Sequence, residues 1–252
     1  MILVFVGKSS GKTTNAVNVA GALAQRPVSP RPSSRKRRVR LVNADPQGSA
    51  AEWAAQRSEA PLFDVVDHIE PTIHKDLPRL LAGPDGPMDD LVIDAPAGTG
   101  RPMTIPDGRI RITRSAILAA IADDHGVVVA PVTPSPWDLW AGDDLMQVLE
   151  EAWTFAGAAP RARTRTVILL NRVSTREASS DQRQVPKIVR AARARLAEAP
   201  LPLLKTVIHD RQDYVQAPAY GLTVTEYAPR GAAAAEVLAL TTELLTVAGE
   251  NK

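Results

Sequence analysis

The apolar run Ile2-Leu3-Val4-Phe5-Val6, followed at once by Gly7-Lys8-Ser9-Ser10-Gly11-Lys12-Thr13-Thr14, constrains this chain more than any other stretch. Five consecutive apolar residues read as a strand buried on both faces. A helical pattern follows, starting near Asn15, with Ala16, Val19, Ala20 and Leu23 on one face. Strand, Gly-rich turn and helix together form the context of a phosphate-binding loop. Successive backbone N–H groups in such a turn converge on an anion, and the dipole of the following helix reinforces them. Gly7, Lys8, Ser9, Ser10, Gly11, Lys12, Thr13 and Thr14 are therefore candidate binding residues. Lys12 is placed to neutralise outer phosphates, and Thr13 offers a hydroxyl to Mg²⁺, which prefers hard oxygen ligands. The plain alternative is a turn rich in Gly and Ser, and the flanking strand and helix argue against it.

The spacing departs from the common Gly-x4-Gly-Lys-[Ser/Thr] pattern. Counting back from Lys12 puts Val6 at the first glycine position. Either the loop is one residue short or its first glycine is replaced. Ser9 and Ser10 also restrict the positive φ angles that glycine tolerates.

Further apolar runs end in polar turns along the whole chain. Val39 to Val42 leads into Asn43-Ala44-Asp45-Pro46-Gln47, and Leu91-Val92-Ile93 leads into Asp94-Ala95-Pro96 and a flexible Ala97-Gly98-Thr99-Gly100 segment. An acid at a strand end beside a phosphate loop can orient water or Mg²⁺, which makes Asp45 and Asp94 candidates for either role. The competing assignment for Asp94 is a turn or helix-cap residue. Strands are also expected at 62–66, 127–132, 167–170 and 203–208, with helices at 49–57, 73–82, 113–122, 137–156, 185–198 and 231–247. Buried strands alternating with helices imply a single α/β domain, doubly wound around a mostly parallel sheet. Right-handed crossovers would bring the loops after Val6, Val42, Ile93, Val132 and Leu170 to one edge. Trp137 and Trp140, three apart, read as packing on one helix face.

Two stretches interrupt this pattern. Residues 27–38 are rich in proline, and seven basic residues with no acid fall between 26 and 40, in a chain whose net charge is only +2. That segment reads as a solvated loop, too polar to pack. Residues 101–112 either extend the Asp94 loop or form a small excursion after it. The chain has no cysteine, which excludes disulfides and thiolate metal sites and fits a reducing cytoplasm. No apolar run approaches the length of a membrane span.

Taken together, Gly-Lys-Ser-Ser-Gly-Lys-Thr-Thr, Asp45-Pro46-Gln47, Leu91 to Pro96, Pro131-Val132-Thr133-Pro134-Ser135-Pro136 and Glu226-Tyr227-Ala228-Pro229 resemble the ParA/MinD family of deviant Walker A ATPases. The closest likeness is to the short, ParF-like ParA proteins of plasmid partition. The resemblance implies ATP and Mg²⁺ as cofactors and slow, partner-stimulated hydrolysis. It makes Lys8 the lysine that crosses an ATP-sandwich homodimer, although it lies one place nearer Lys12 than in the family. It makes Asp45 the acid that positions water and Asp94 the acid that holds Mg²⁺ through water. Asn171 matches the region that reads adenine, and Asn43 replaces the family's first aspartate. The implied partners are non-specific DNA and a centromere-binding adaptor of the ParB/ParG kind, with the protein cytoplasmic and nucleoid-associated.

The expected function is therefore ATP-dependent partition of plasmid or chromosomal DNA. The alternatives are a MinD-like or other cargo-positioning ATPase, and a nucleotide-dependent DNA-binding scaffold with little turnover. A small-molecule ligase on the same fold lacks any sequence sign of a substrate pocket. The C-terminal stretch has one lysine and no basic face, which disfavours a membrane-binding helix. For DNA, Lys187, Arg190 and Arg193 recur every third residue and form one row on a helix. That rigid row is preferred over the 26–40 loop, which carries a larger ordering cost.

Overall fold

The structure is a computed structural model that describes residues 1–8, 11–29, 31, 33–97, 108–135, 142–157, 162–163, 165–175, 187–196 and 201–250. Its strands are β1 (Ile2–Phe5), β2 (Val39–Asn43), β3 (Asp64–Asp67), β4 (Asp90–Asp94), β5 (Val127–Val132), β6 (Thr166–Val173) and β7 (Leu203–His209). They form one sheet in the order β3-β2-β4-β1-β5-β6-β7, and every pairing is parallel. The near-continuous apolar runs explain this arrangement, because strands covered on both faces have no polar side to keep.

Successive residues of β1 feed opposite layers. Leu3 and Phe5 pack with α1 (Lys12–Ala24) and α9 (Ala232–Ala248). Ile2 and Val4 pack with α4 (Gly108–Ala122) and α5 (Gly142–Ala156). Between these lie α2 (Ser49–Ala55), α3 (Leu77–Leu81), α6 (Lys187–Leu196), α7 (Asp213–Gln216) and α8 (Val224–Tyr227). Pro78 falls in the first turn of α3, where its missing N–H costs nothing.

Three expectations change. The first helix opens at Lys12 and not near Asn15, because Gly11 supplies a left-handed N-cap with φ 83°. Residues 108–112 belong to α4 and not to an excursion, while 101–107 lie outside the described residues, as do Trp137 and Trp140.

The third change concerns 27–38, whose described residues 27, 28, 31, 33, 35 and 36 are exposed as expected, but whose Arg35 and Arg37 are tied to the body of the fold by their charges. Arg35 holds Asp89 through two bonds of 2.6 and 2.9 Å. Arg37 donates to Asp90 at 2.5 and 2.7 Å and to Glu250 at 2.7 Å. Pro27 and Lys36 form an antiparallel bridge. Asp90 is fully buried; burial pushes its carboxyl pKa up, and Arg37 together with the Met1 ammonium 3.8 Å away opposes that shift. Asp90 opens β4 and Asp94 closes it, so this clamp sits at the opposite sheet edge from the phosphate loop.

Candidate functional site

The parallel sheet sends the ends of β1, β2, β4, β5 and β6 to one edge, as the strand–loop pattern predicts. At that edge Gly7 adopts φ 115° while Val6 stays buried and donates to Val129 O at 2.9 Å. The glycine freedom is thus used at residue 7, which fits a loop shortened by one. Gly11 is needed twice over. Its φ is 83°, and a Cβ there would fall 2.5 Å from Asn171 Nδ2. Its carbonyl accepts from the Asn15 backbone N–H at 3.0 Å and from Asn15 Nδ2 at 2.8 Å. Ser9 and Ser10 lie outside the described residues.

Lys12 is only 5% exposed at the start of α1. Burial pushes its ammonium pKa down, and the nearby Asp94 and Asp45 carboxylates oppose that shift. Thr13 Oγ1 donates to Asp94 Oδ2 at 2.6 Å. Burial pushes Asp94 up to about 6 against the opposing bond from Thr13, and its Oδ1 is buried with no hydrogen-bond partner. Asp45 Oδ1 accepts the Gln47 N–H at 3.0 Å, and its Oδ2 accepts the Ala97 N–H at 3.3 Å. Asp45 is thereby tied to the segment that follows Asp94. A buried lysine, a threonine hydroxyl and a carboxylate oxygen lacking a donor suit a phosphate bound with a hard cation. Among the described residues no cluster of three or more histidine or acidic side chains offers an all-protein metal cage.

Gly11, Lys12, Thr13 and Asp45 line a cleft of about 380 Å³ together with Thr14 and Arg172. Asp94 and Asn171 are buried at its edge. Sequence reasoning misses the cleft's far wall, which includes Trp53, Pro218 and Leu222. Trp53 stacks on Phe63 with ring centres 5.4 Å apart and donates Nε1–H to Leu222 O at 3.2 Å. Glu226 braces that wall by capping Thr223 N–H at 3.0 Å and pairing with Arg57 at 2.6 Å. Arg172 follows Asn171 at a register shift between β6 and β7, with φ 53°. It is the one non-glycine residue with positive φ among the described residues. Asn43 also gains a carboxylate, since its Nδ2 donates to Asp67 Oδ1 at 2.7 Å across the β2–β3 pair.

Two expected groups stand apart from the cleft. Lys8 is exposed and is not among the residues lining it. On α6, Arg190 is exposed, but Arg193 donates to Lys205 O at 2.6 Å, while Val189 and Ala192 pack on Leu170 and Val173. Lys187 opens the helix, with its side chain outside the described set. The row is therefore broken at Arg193, which is held back against β7. Among the described residues no helix is long and apolar enough to cross a membrane.

No protein-family model matches the chain. Maintenance of carboxysome distribution protein A of Gloeobacter kilaueensis is 30% identical over 237 residues, covering 94% of this chain and 88% of that protein. The protein of the same name from Halothiobacillus neapolitanus is 26% identical, covering 90% and 86%. Among solved structures, a ParA family ATPase from Chlorobium tepidum matches with TM-score 0.61, 17% identity and coverage of 96% and 98%. An ATP complex of a Cyanothece McdA variant matches with TM-score 0.63, 14% identity and coverage of 100% and 97%. The MinD cell division protein of Aquifex aeolicus matches with TM-score 0.64, 15% identity and coverage of 97% and 96%. The solved structures share the fold and the Gloeobacter relative spans nearly the whole chain, so the chain belongs to the ParA/MinD family of ATPases.

Proposed function

We propose that this chain is a cargo-positioning ATPase of the carboxysome-distribution kind, in which ATP joins two copies and hydrolysis releases them. The observation that carries the reading is the Thr13–Asp94 bond of 2.6 Å beside buried Lys12. It occurs in a chain 30% identical along 94% of its length to a carboxysome distribution protein. The names of the curated relatives favour this positioning reading over plasmid partition.

In this reading Lys12 neutralises the outer phosphates, and Thr13, with Asp94 through water, would hold Mg²⁺. The ion would supply charge neutralisation at the phosphate oxygens. Asp45, fixed by the Gln47 and Ala97 amides, orients the attacking water, and such positioning is a large part of phosphoryl-transfer catalysis. The exposed Lys8 reaches the partner copy's phosphates. Exposed Arg190, with Lys187, holds the dimer on DNA without sequence preference. A cargo-bound adaptor stimulates turnover.

The test is duplex DNA binding and ATP turnover, each measured with ATP and with ADP. ATP-dependent DNA binding with slow turnover supports the reading. DNA binding indifferent to the nucleotide overturns the positioning cycle.

A further inference from the structure

Phe155, near the end of α5, is 77% exposed. An isolated exposed aromatic needs no explanation, but this one lines a concave site. Phe155, Leu118 and Pro71 border a hollow of about 260 Å³, and Lys75, Arg111 and Arg114 lie around it. The hollow is built into the fold. Its 71–75 wall is pinned to α4, because Ser115 Oγ meets the His74 backbone N–H at 3.3 Å and Nδ1 at 2.8 Å. Arg114 is already engaged by Glu151. Lys75 and Arg111 make no ion pair among the described residues. Leu118 belongs to the sheet face covered by α4 and α5, whereas α1, which carries the phosphate loop, covers the other face.

We propose that this hollow docks an acidic peptide segment of a protein partner. An apolar side chain of the peptide enters between Phe155 and Leu118, and its carboxylates meet Lys75 and Arg111. Charge complementarity selects an anionic occupant, because two unpaired cations flank an apolar floor. The floor separates a peptide from nucleic acid. Phosphates gain from Lys75 and Arg111 alone and leave Phe155 in water, whereas a peptide also buries an apolar side chain there. The site is independent of the nucleotide cycle and stands even where that reading fails.

The test is fluorescence anisotropy without nucleotide, using a labelled ten-residue peptide of aspartate and glutamate with a central Leu-Phe pair. Controls are the same peptide with Ser-Gly at the centre, its lysine counterpart and a short DNA duplex. The wild type binds the acidic Leu-Phe peptide in preference to all three. Phe155→Ser weakens that binding by about tenfold, as loss of a buried aromatic anchor does. Lys75→Glu with Arg111→Glu weakens it at least as much. All the substituted side chains lie at the surface of the hollow, and melting curves verify that each variant is folded. No binding by the wild type, unchanged affinity in Phe155→Ser, or equal binding of the Ser-Gly peptide or the duplex overturns the proposal.

Discussion

Thr13 Oγ1 lies 2.6 Å from Asp94 Oδ2, a bond between residues 81 positions apart. The sheet creates it. β1 and β4 are neighbours, with Phe5 opposite Asp94, so the start of α1 comes against the end of β4.

Lys12→Ala is expected to lower ATP affinity at least about 100-fold, the loss of charge-assisted bonds worth ~3 kcal/mol. Calorimetric titration measures it. Unchanged affinity would remove the phosphate-loop assignment.

Asp45→Ala is expected to keep ATP affinity within about threefold and to lower single-turnover hydrolysis roughly 100-fold, the scale of lost positioning. Turnover at the wild-type rate would show that the acid held by Gln47 and Ala97 does not orient water.

Asp94 gives the nucleotide-free protein a defined pH dependence. Its pKa rises from 3.8 to about 6 on folding, so the folded state binds the proton more tightly. The stability this contributes is full below about pH 4 and is lost as pH rises through 6. The difference amounts to about 3 kcal/mol at most. Urea unfolding between pH 4 and 8 measures it, and Asp94→Asn should flatten the profile over that range. A wild-type profile that rises between pH 4 and 6 by this group's titration would contradict the assigned environment.

Much of this site is legible in the sequence because its parts sit at strand ends. An apolar run followed by a polar turn marks such an end, which places Gly11, Lys12, Thr13, Asp45, Asp94 and Asn171 at one sheet edge. The cleft's far wall follows no such rule. Trp53 reaches it through stacking on Phe63 and a bond to Leu222, and that meeting of distant segments has no local pattern. Arg35 and Arg37, within 27–38, escape that rule for a related reason. The segment's composition is that of a solvated loop, but the acids that fix these two, Asp89, Asp90 and Glu250, are remote in sequence. Arg193 illustrates the same limit, since periodicity sets a helix face but not which charges bond back to the sheet.

Arg37→Ala is expected to destabilise the fold by about 3 kcal/mol, because it leaves buried Asp90 with only the Met1 ammonium, 3.8 Å away, to oppose its charge. ATP affinity should not change, since the clamp lies at the opposite sheet edge. Urea melts and calorimetry separate the two effects. A destabilisation below about 1 kcal/mol would mean that Asp90 is neutral or hydrated without Arg37.

Arg190→Glu tests the DNA surface more cleanly than any change at Arg193, which is occupied by Lys205 O. For every phosphate that the variant no longer neutralises, the log–log salt dependence of duplex binding should flatten by about 0.9. An unchanged slope would move the DNA surface elsewhere.

The central claim is that ATP itself assembles the working unit. Molar mass from light scattering, with ATP, ADP or no nucleotide, tests it most directly. The account predicts the 27.0 kDa monomer with ADP or no nucleotide and twice that mass with ATP. The ATP dimer should persist longer in Asp45→Ala and be lost in Lys8→Ala. A mass that is the same under all three conditions would contradict the account.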